Sequence, residues 1–585
     1  MASFKTPGVY IKEISTLPAS VAPVATAIPG FVGYTKQQAV VDGEVQDHNT
    51  PVRIESLLDF ESAFGGPFTE LFTVTLEDTA PEIAVSTPSG LSPYLLYYHL
   101  RMYFENGGGP CHVISVGTYV DPDPSVNDID EAELLAGLAA CEEIDEITLL
   151  VVPEAILLDA NGRQNINDAM LAQCNKLQDR FAIMDAFTDP AETVFDDGNN
   201  FRDDVGSDFL KYGAAYYPSL KTTLELFYEE TGVTIVDNRT NPSTSFDTLS
   251  LENILNGDGV PVAATGTITV DDNTLLENDI VTINGQDFVE SSGDPTTGWD
   301  RGATPIQAAT SLTTALNNFG DSAYTFLRTS NVITITAAAT GPSGNDIDMS
   351  YTDSGSGSGI TLSGPTLSGG VTESTDKDLY NQIVDELEQN LQITLYPSAA
   401  IAGIYARTDR NRGVWKAPAN TSLRLVEEPT KLVTAEQQES LNVDADTGKS
   451  INVIRKFAKK GNLVWGARTL AGNDNEWRYV PVRRLFIFME ESIQKATEPS
   501  VFEPNDAKTW TKLKVMIENF LSKLWREGAL AGAKPEDAFF VNVGLGKTMT
   551  ALDILEGRLI IEVGVAAVRP AEFIILKFMH KLQES

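Results

Sequence analysis

The sequence predicts an α/β (α+β) multidomain protein: a discontinuous α/β body, an inserted β-rich domain, and a C-terminal α/β domain with arms at both chain ends. Three observations predict it. Helix-period and strand-like apolar runs alternate through residues 26–250 and resume after 372. Between Leu251 and Val371 Gly, Thr, Ser, Asp and Asn dominate, and Lys+Arg falls to Arg301 and Arg328 against 14 Asp+Glu. Of the chain's 42 Lys+Arg and 82 Asp+Glu, residues 451–585 hold 20 and 16 (net +4), which leaves 22 and 66 (net −44) to residues 1–450. The reading is therefore 1–25 arm and linker, 26–250 body, 251–372 insert, 373–450 body resumed, and 451–585 C-terminal domain.

Composition narrows the function. A net charge of −40 and a pI near 4.4 argue against nucleic acid or an anionic membrane as partner of the whole chain. A 42% hydrophobic content excludes wholesale disorder. No basic segment followed by an apolar run opens the chain, and no apolar stretch approaches about 18 residues. The expectation is neither signal peptide nor membrane span, with assembly in the cytoplasm. Cys111, Cys141 and Cys174 are widely spaced and read as buried thiols.

In chain order, Thr6–Ile14, containing Val9, Tyr10, Ile11 and Ile14, is a β-prone run on the Ser-, Pro- and Ala-rich linker Ser15–Pro23. Ile28–Thr35 reads as the first buried strand. Tyr94–Phe104 is an apolar-faced helix stopped by Asn106-Gly107-Gly108-Gly109-Pro110 and followed by a strand at Cys111–Val116. Helices at Asp130–Glu142 and Asn167–Asp179 alternate with strands at Ile147–Val152 and Ala182–Met184, which predicts an open parallel or mixed sheet. In the insert, strand-like runs at 266–270, 279–283, 286–290, 325–327 and 332–337 surround one helix, Ile306–Phe319, and the module ends in the Ser354–Gly359 tract. Its acidity suits an outward-facing decoration.

The C-terminal domain reads as helices Val482–Lys495 and Asp506–Ala531, then strands Ala538–Val543, Arg558–Val568 and Glu572–Met579. In the second helix Trp510, Leu513, Met516, Ile517, Phe520, Leu521 and Leu524 recur at helical spacing. Lys508, Lys512, Lys523 and Arg526 project within roughly 60° of one another beside that face, a basic stripe in an acidic protein. The last run, with Phe573, Ile575, Leu576 and Phe578, is apolar on both faces and would be an aggregation hazard as a free edge. The N-terminal run has no partner nearby in sequence. Strand addition between subunits answers both problems.

Several segments resemble the contractile tail sheath family. "TPGVYIKEI" and "AIPGFVGYT" resemble its opening. "SLLDFESAFGG", "YYHLRMYFENGGGPCHVISVG", "FAIMD", "YGAAYYPSL" and "YPSAAIAGIYARTDRNRGVWKAPAN" follow in the family's order. "LNVDADTGKSINVIRKFAKKGNLVWGARTL", "WRYVPVRRLFIFMEESIQKATEPSVFEPND" and the final "LEGRLIIEVGVAAVRPAEFIILKF" are similar almost element by element. The resemblance implies a structural subunit that polymerises helically, as stacked, hexameric rings, around an inner tube protein. Baseplate and terminator proteins are the further partners implied, with arms exchanged between neighbours, the basic stripe facing the tube, and no cofactor or metal. A phage tail and a phage-like injection system are equally implied. The alternative class is a non-contractile surface-layer or capsid-like protein.

Catalytic patterns fail. There is no GxSxG, HExxH or metal-spaced His/Cys set. Gly107–Gly109 ends a helix and precedes a strand, the reverse of a phosphate cradle. Gly544-Leu545-Gly546-Lys547-Thr548 lacks the first glycine of a nucleotide loop, Val541 standing in its place.

Overall fold

The computed structural model describes residues 21–87, 91–120, 128–239, 246, 248–256, 263–290, 293–294, 296–340, 342–355, 357–368 and 376–575. Its contacts divide into two compact units. One comprises Met1–Phe68, Ser89–Phe227 and Leu391–Ser585; the other comprises Thr69–Pro88 and Tyr228–Asn390.

The first unit is built on a nine-stranded sheet whose order is 421–422, 461–464, 451–457, 213–217, 181–185, 149–151, 29–35, 111–118, 51–54. The six strands from 451–457 to 111–118 run parallel. Antiparallel strands close both edges. All seven residues of Pro29–Thr35 are buried, as required where a parallel sheet is covered on both faces. Helices Leu96–Glu105 and Glu131–Ala140 pack on this strand. Helix starts are fixed by short acceptors: Asp130 Oδ1 receives Glu133 N–H at 3.0 Å, and Asp159 Oδ1 receives Gly162 N–H at 2.8 Å. Helix Ser398–Arg412 is buried almost throughout its first nine residues. Its first N–H, on Ser398, donates to Asp185 Oδ1 at 2.7 Å, so the strand end and the helix start hold one another.

The same unit carries helices Val480–Thr497 and Ala507–Glu527 and a two-stranded antiparallel sheet, Phe539–Val543 with Ile561–Val565. Leu485, Phe488, Met489, Leu513, Ile517, Phe520, Leu521 and Val541 share one core with Val21. The chain from Val21 to Ile28 is stapled on its way to the sheet. Val24 N–H donates to Ser492 Oγ at 3.2 Å, Arg484 Nη2 to the Thr26 carbonyl at 2.6 Å, and Ile28 N–H to Thr148 Oγ1 at 2.9 Å.

The second unit holds two four-stranded sheets over a core that includes Ile268, Val281, Phe288, Trp299, Leu312, Leu316, Ile333, Ile335 and Met349. Its helix, Pro305–Phe319, starts at the Thr304 cap and ends at Gly320, φ 69. Three differences from the expectation follow from long-range pairing. Met349–Thr352 and Ile360–Leu362 are strands, and Leu367 is buried, so the module runs past the Ser354–Gly359 tract. Glu70–Leu76 pairs parallel with Tyr228–Asp237 and antiparallel with Ile83–Ser86. Thr69–Pro88, Tyr228–Ser250 and helix Lys377–Asn390 accordingly group with the insert rather than with the body, making the unit wider than 251–372.

Candidate functional site

The surfaces that distinguish this molecule belong to its C-terminal part. Helix Ala507–Glu527 forms because its apolar positions keep helical period and its ends are capped. Asp506 Oδ1 accepts the N–H groups of Lys508 and Thr509 at 3.0 and 2.9 Å. Gly528, at φ 88, takes the left-handed C-terminal position that a β-carbon would strain. Leu513, Met516, Ile517, Phe520, Leu521 and Leu524 are buried, and Trp510 is half-buried with Nε1 donating to Asn505 Oδ1 at 2.6 Å. Lys508, Lys512, Lys523 and Arg526 are all exposed. Val515 and Asn519 continue the same line between Lys512 and Lys523, so no carboxylate interrupts it. Among the described residues Lys512, Lys523 and Arg526 make no ion pair, whereas Lys514, off the stripe, meets Glu518 at 3.5 Å. The stripe spans about 27 Å, 18 residues at about 1.5 Å each.

The two-stranded sheet is incomplete. Phe539–Val543 pairs with Ile561–Val565, and no third strand joins either among the described residues. Phe540 is 55% exposed. An isolated hairpin of this kind is marginal by itself. The strands are shorter than expected from sequence: Pro535–Ala538 is a helical turn, and only Ile561–Val565 of the 558–568 run is strand.

After it, the chain crosses to Glu572, whose carboxylate is clamped. Oε2 accepts from Arg468 Nη2 at 2.7 Å and Tyr479 OH at 3.1 Å; Oε1 accepts from Arg468 Nε at 2.9 Å and Asn442 Nδ2 at 3.0 Å. Burial raises the Glu572 pKa, but Arg468, Asn442 and Tyr479 outweigh it and hold it below the ordinary value. Beyond the clamp Phe573, Ile574 and Ile575 are 71, 80 and 80% exposed and in no strand. The expected strand Glu572–Met579 is therefore unpaired over its described residues. Leu576 and Phe578, like Val9, Tyr10, Ile11 and Ile14, lie outside the described residues. Sequence reasoning missed the Glu572 clamp, because its partners stand 93 to 130 positions away.

Positions considered for chemistry are engaged in packing. The N–H groups of Gly107 and Gly108 donate to the Phe104 and Tyr103 carbonyls, and that of Gly109 donates to Tyr103 OH. Lys547 and Thr548 N–H both return to the Gly544 carbonyl at 3.1 Å. His99 is buried, and burial lowers its pKa to about 4. Cys111, Cys141 and Cys174 are buried and free. At the C-terminal ends of the parallel strands, where α/β folds receive ligands, a cavity of about 20 Å³ beside Asn167, Met170 and Asp185 has room for about one water. Among the described residues no group of three His, Cys, Asp or Glu could hold a metal ion, and no helix is long and apolar enough to cross a membrane.

Residues 472–580, which contain the stripe, the open sheet and Glu572, match the phage tail sheath C-terminal domain family. The whole fold is similar to the sheath of an extracellular contractile injection system, PVC, solved in the contracted state: 25% identity, TM-score 0.51, with 99% of both chains covered. It is likewise similar to the contracted helical sheath of the anti-feeding prophage: 27% identity, TM-score 0.52, covering 99% of this chain and 100% of that one. In its C-terminal domain and in its whole fold the chain is thus similar to contractile tail sheaths. The tail sheath protein of Vibrio phage KVP40 is 28% identical over 124 residues, which are 21% of this chain and 18% of that protein. This similarity points to a structural role and to a place in a phage tail-like particle.

Proposed function

We propose that the chain is the structural subunit of a contractile sheath: it polymerises helically around an inner tube and contracts to drive the tube through a target envelope. The observation that carries this is the open two-stranded sheet, followed in sequence by the exposed Phe573–Ile575 segment. A ladder with free edges and an apolar arm in no strand, both among the described residues, would complement each other between copies. The arms, Val9, Tyr10, Ile11 and Ile14 at one end and Phe573, Ile575, Leu576 and Phe578 at the other, would complete neighbouring sheets. Stacked hexameric rings, the inner tube, a baseplate and a terminator complete the proposed assembly, which forms in the bacterial cytoplasm. A surface-layer or capsid-like role is not favoured, since the similar structures covering 99% of this chain are contractile sheaths.

In this reading Lys508, Lys512, Lys523 and Arg526 face carboxylates on the tube. Each exposed contact would contribute about 0–1 kcal/mol, but many subunits on one tube add them through multivalency and release them together. Reversing Lys512 and Lys523 to Glu is expected to leave the helix's buried face and the fold intact and to abolish co-purification with tube. A double variant that retains tube as well as the wild type leaves the stripe a solvated face. Deleting Met1–Ala19 is expected to give a folded protein that forms no sheath, and full-length tubes in electron micrographs of that truncation would remove the strand-exchange reading. The second unit's double-sheet module is proposed to be an outward accessory. Thr265 and Ser368 pair, so its two ends leave side by side, and replacing 263–368 by a short linker is expected to preserve assembly.

A further inference from the structure

The body carries a second concentration of positive charge, far in sequence from the stripe. Arg407 and Arg410 stand one turn apart near the end of helix Ser398–Arg412, and Arg424 follows the short strand Thr421–Ser422. They converge on one turn and its surroundings. Arg410 Nη2 donates to the Gly107 carbonyl at 3.1 Å, Arg424 Nη1 to the Glu105 carbonyl at 3.4 Å, and Arg407 Nη2 to the Ser422 carbonyl at 2.8 Å. Asn106 fixes the Arg424 backbone, accepting its N–H at 2.9 Å and donating to its carbonyl at 3.3 Å. Gly107, at φ 101, lets the turn close on the stem of Arg407, whose Cβ would lie 2.9 Å from a β-carbon there.

Among the described residues none of the three guanidiniums has a carboxylate oxygen within 4.0 Å; their partners are backbone oxygens. Burial lowers the Arg407 pKa, and the charges of Arg424 and Arg410 act in the same direction. A guanidinium has five N–H donors, so most of their capacity is unspent. In a chain of net charge −40, three gathered arginines without a carboxylate mark a seat for an anionic partner.

The counterpart in shape and charge is on the same chain. Val40–Val41 and Glu44–Val45 form a hairpin turning at Asp42 and Gly43, φ 52 and 85. Asp42, Glu44 and Asp47 are exposed and make no ion pair among the described residues, and Val45 is 64% exposed. The hairpin follows strand Pro29–Thr35 and so lies past the C-terminal edge of the parallel strands. The turn at Glu105–Gly109 precedes strand Cys111–Thr118, which runs parallel to it, and so lies at the N-terminal edge. Opposite edges of one sheet meet only between copies. Such a head-to-tail contact does not close on itself in a pair but propagates as a ring or helix.

We propose that the cluster of Arg407, Arg410 and Arg424 receives the Asp42, Glu44 and Asp47 hairpin of a second copy of this chain. The inference rests on the reading of the chain as a self-assembling subunit. It adds a charge-steered contact to the strand exchange, in the body rather than in the arms.

The test uses the full-length chain, with assembly followed by sedimentation and electron microscopy and folding by circular dichroism. The variant R410E/R424E, at two exposed positions, is expected to remain folded and to lose at least tenfold of the sedimenting sheath. D42K/E44K is expected to lose it as well, and the combined four-site variant to recover it, which also shows that the single sets were folded. Assembly of R410E/R424E at the wild-type level overturns the proposal. Loss without recovery in the four-site variant overturns the hairpin as the occupant. A wild-type chain that forms no sheath in the same assay overturns the reading as a self-assembling subunit instead, so the two failures are separate.

Discussion

The body sheet and the C-terminal sheet are made of similar residues and solve opposite problems. In the body, nine strands complete one another, antiparallel strands close both edges, and Pro29–Thr35 is buried along its whole length. In the C-terminal sheet two strands stand alone among the described residues, with Phe540 half out in water and Phe573–Ile575 exposed beyond the Glu572 clamp. Apolar β sequence thus has two meanings here. Where its hydrogen-bonding partners are in the chain it stabilises a fold, and where none joins it among the described residues it would, in the proposed assembly, receive another chain.

The largest effect that would break this contrast is Phe31→Ala. Phe31 is fully buried and meets Tyr103 edge-on at 5.1 Å, so the substitution is expected to destabilise the monomer by about 3–5 kcal/mol, read from the midpoint of denaturant unfolding. A shift below 1 kcal/mol would mean that the body sheet is not the self-sufficient element.

Glu572→Ala removes five hydrogen bonds to one carboxylate and leaves Arg468, 5% exposed in its side chain, without its ion pair. The expected loss is about 1.5–3 kcal/mol, confined to the root of the arm. Amide hydrogen exchange should show it in residues 566–575 with the central strands unchanged; faster exchange throughout the sheet would show that the two regions are one cooperative unit.

Protonation should separate them by sign. Glu154 is buried in the body and Asp185 partly so, and loss of hydration pushes both up to about 7. A carboxyl whose folded pKa exceeds its unfolded one binds its proton more tightly in the native state, so body stability falls as pH rises from about 4 to about 7. Asp185→Asn should flatten that slope, since an amide can still accept the Ser398 N–H. Glu572 is the reverse case: its clamp is present above the ordinary glutamate range and is lost as pH falls through its depressed value. Unfolding curves at several pH values, with proteolysis of the arm root alongside, would show both slopes, and slopes of the same sign would refute the assignment.

The smallest expected effect on stability is that of Phe573→Ser with Ile575→Ser, within about 0.5 kcal/mol because both side chains are already exposed. The same variant should lose sheath assembly. A stability loss comparable to that of Phe31→Ala would place these residues in a core of their own chain.

Helix Ala507–Glu527 was legible from sequence, with its buried face and its stripe of lysines, because all of that information is local. So was the alternation that builds the parallel sheet, although helix Ala160–Leu177 begins seven residues before the expected Asn167, its polar first turn hiding the start. What could not be read depends on distance. Glu70–Leu76 finds its parallel partner at Tyr228–Asp237, and no periodicity reports such a pairing. Arg407 and Arg410 had a local signal, two arginines one turn apart, but the approach of Arg424 to the same turn belongs to the fold. The Glu572 clamp is of the same kind.

The stapled segment from Val21 to Ile28 has a mechanical consequence. It continues directly into Pro29–Thr35, which is held by parallel ladders on both sides, against 111–118 and 149–151. Tension applied at the N-terminus along that strand would not peel hydrogen bonds one at a time; it would load both ladders in shear, so that many bonds must fail together. The chain enters its body on a strand paired on both sides, where a pull is resisted by many bonds at once.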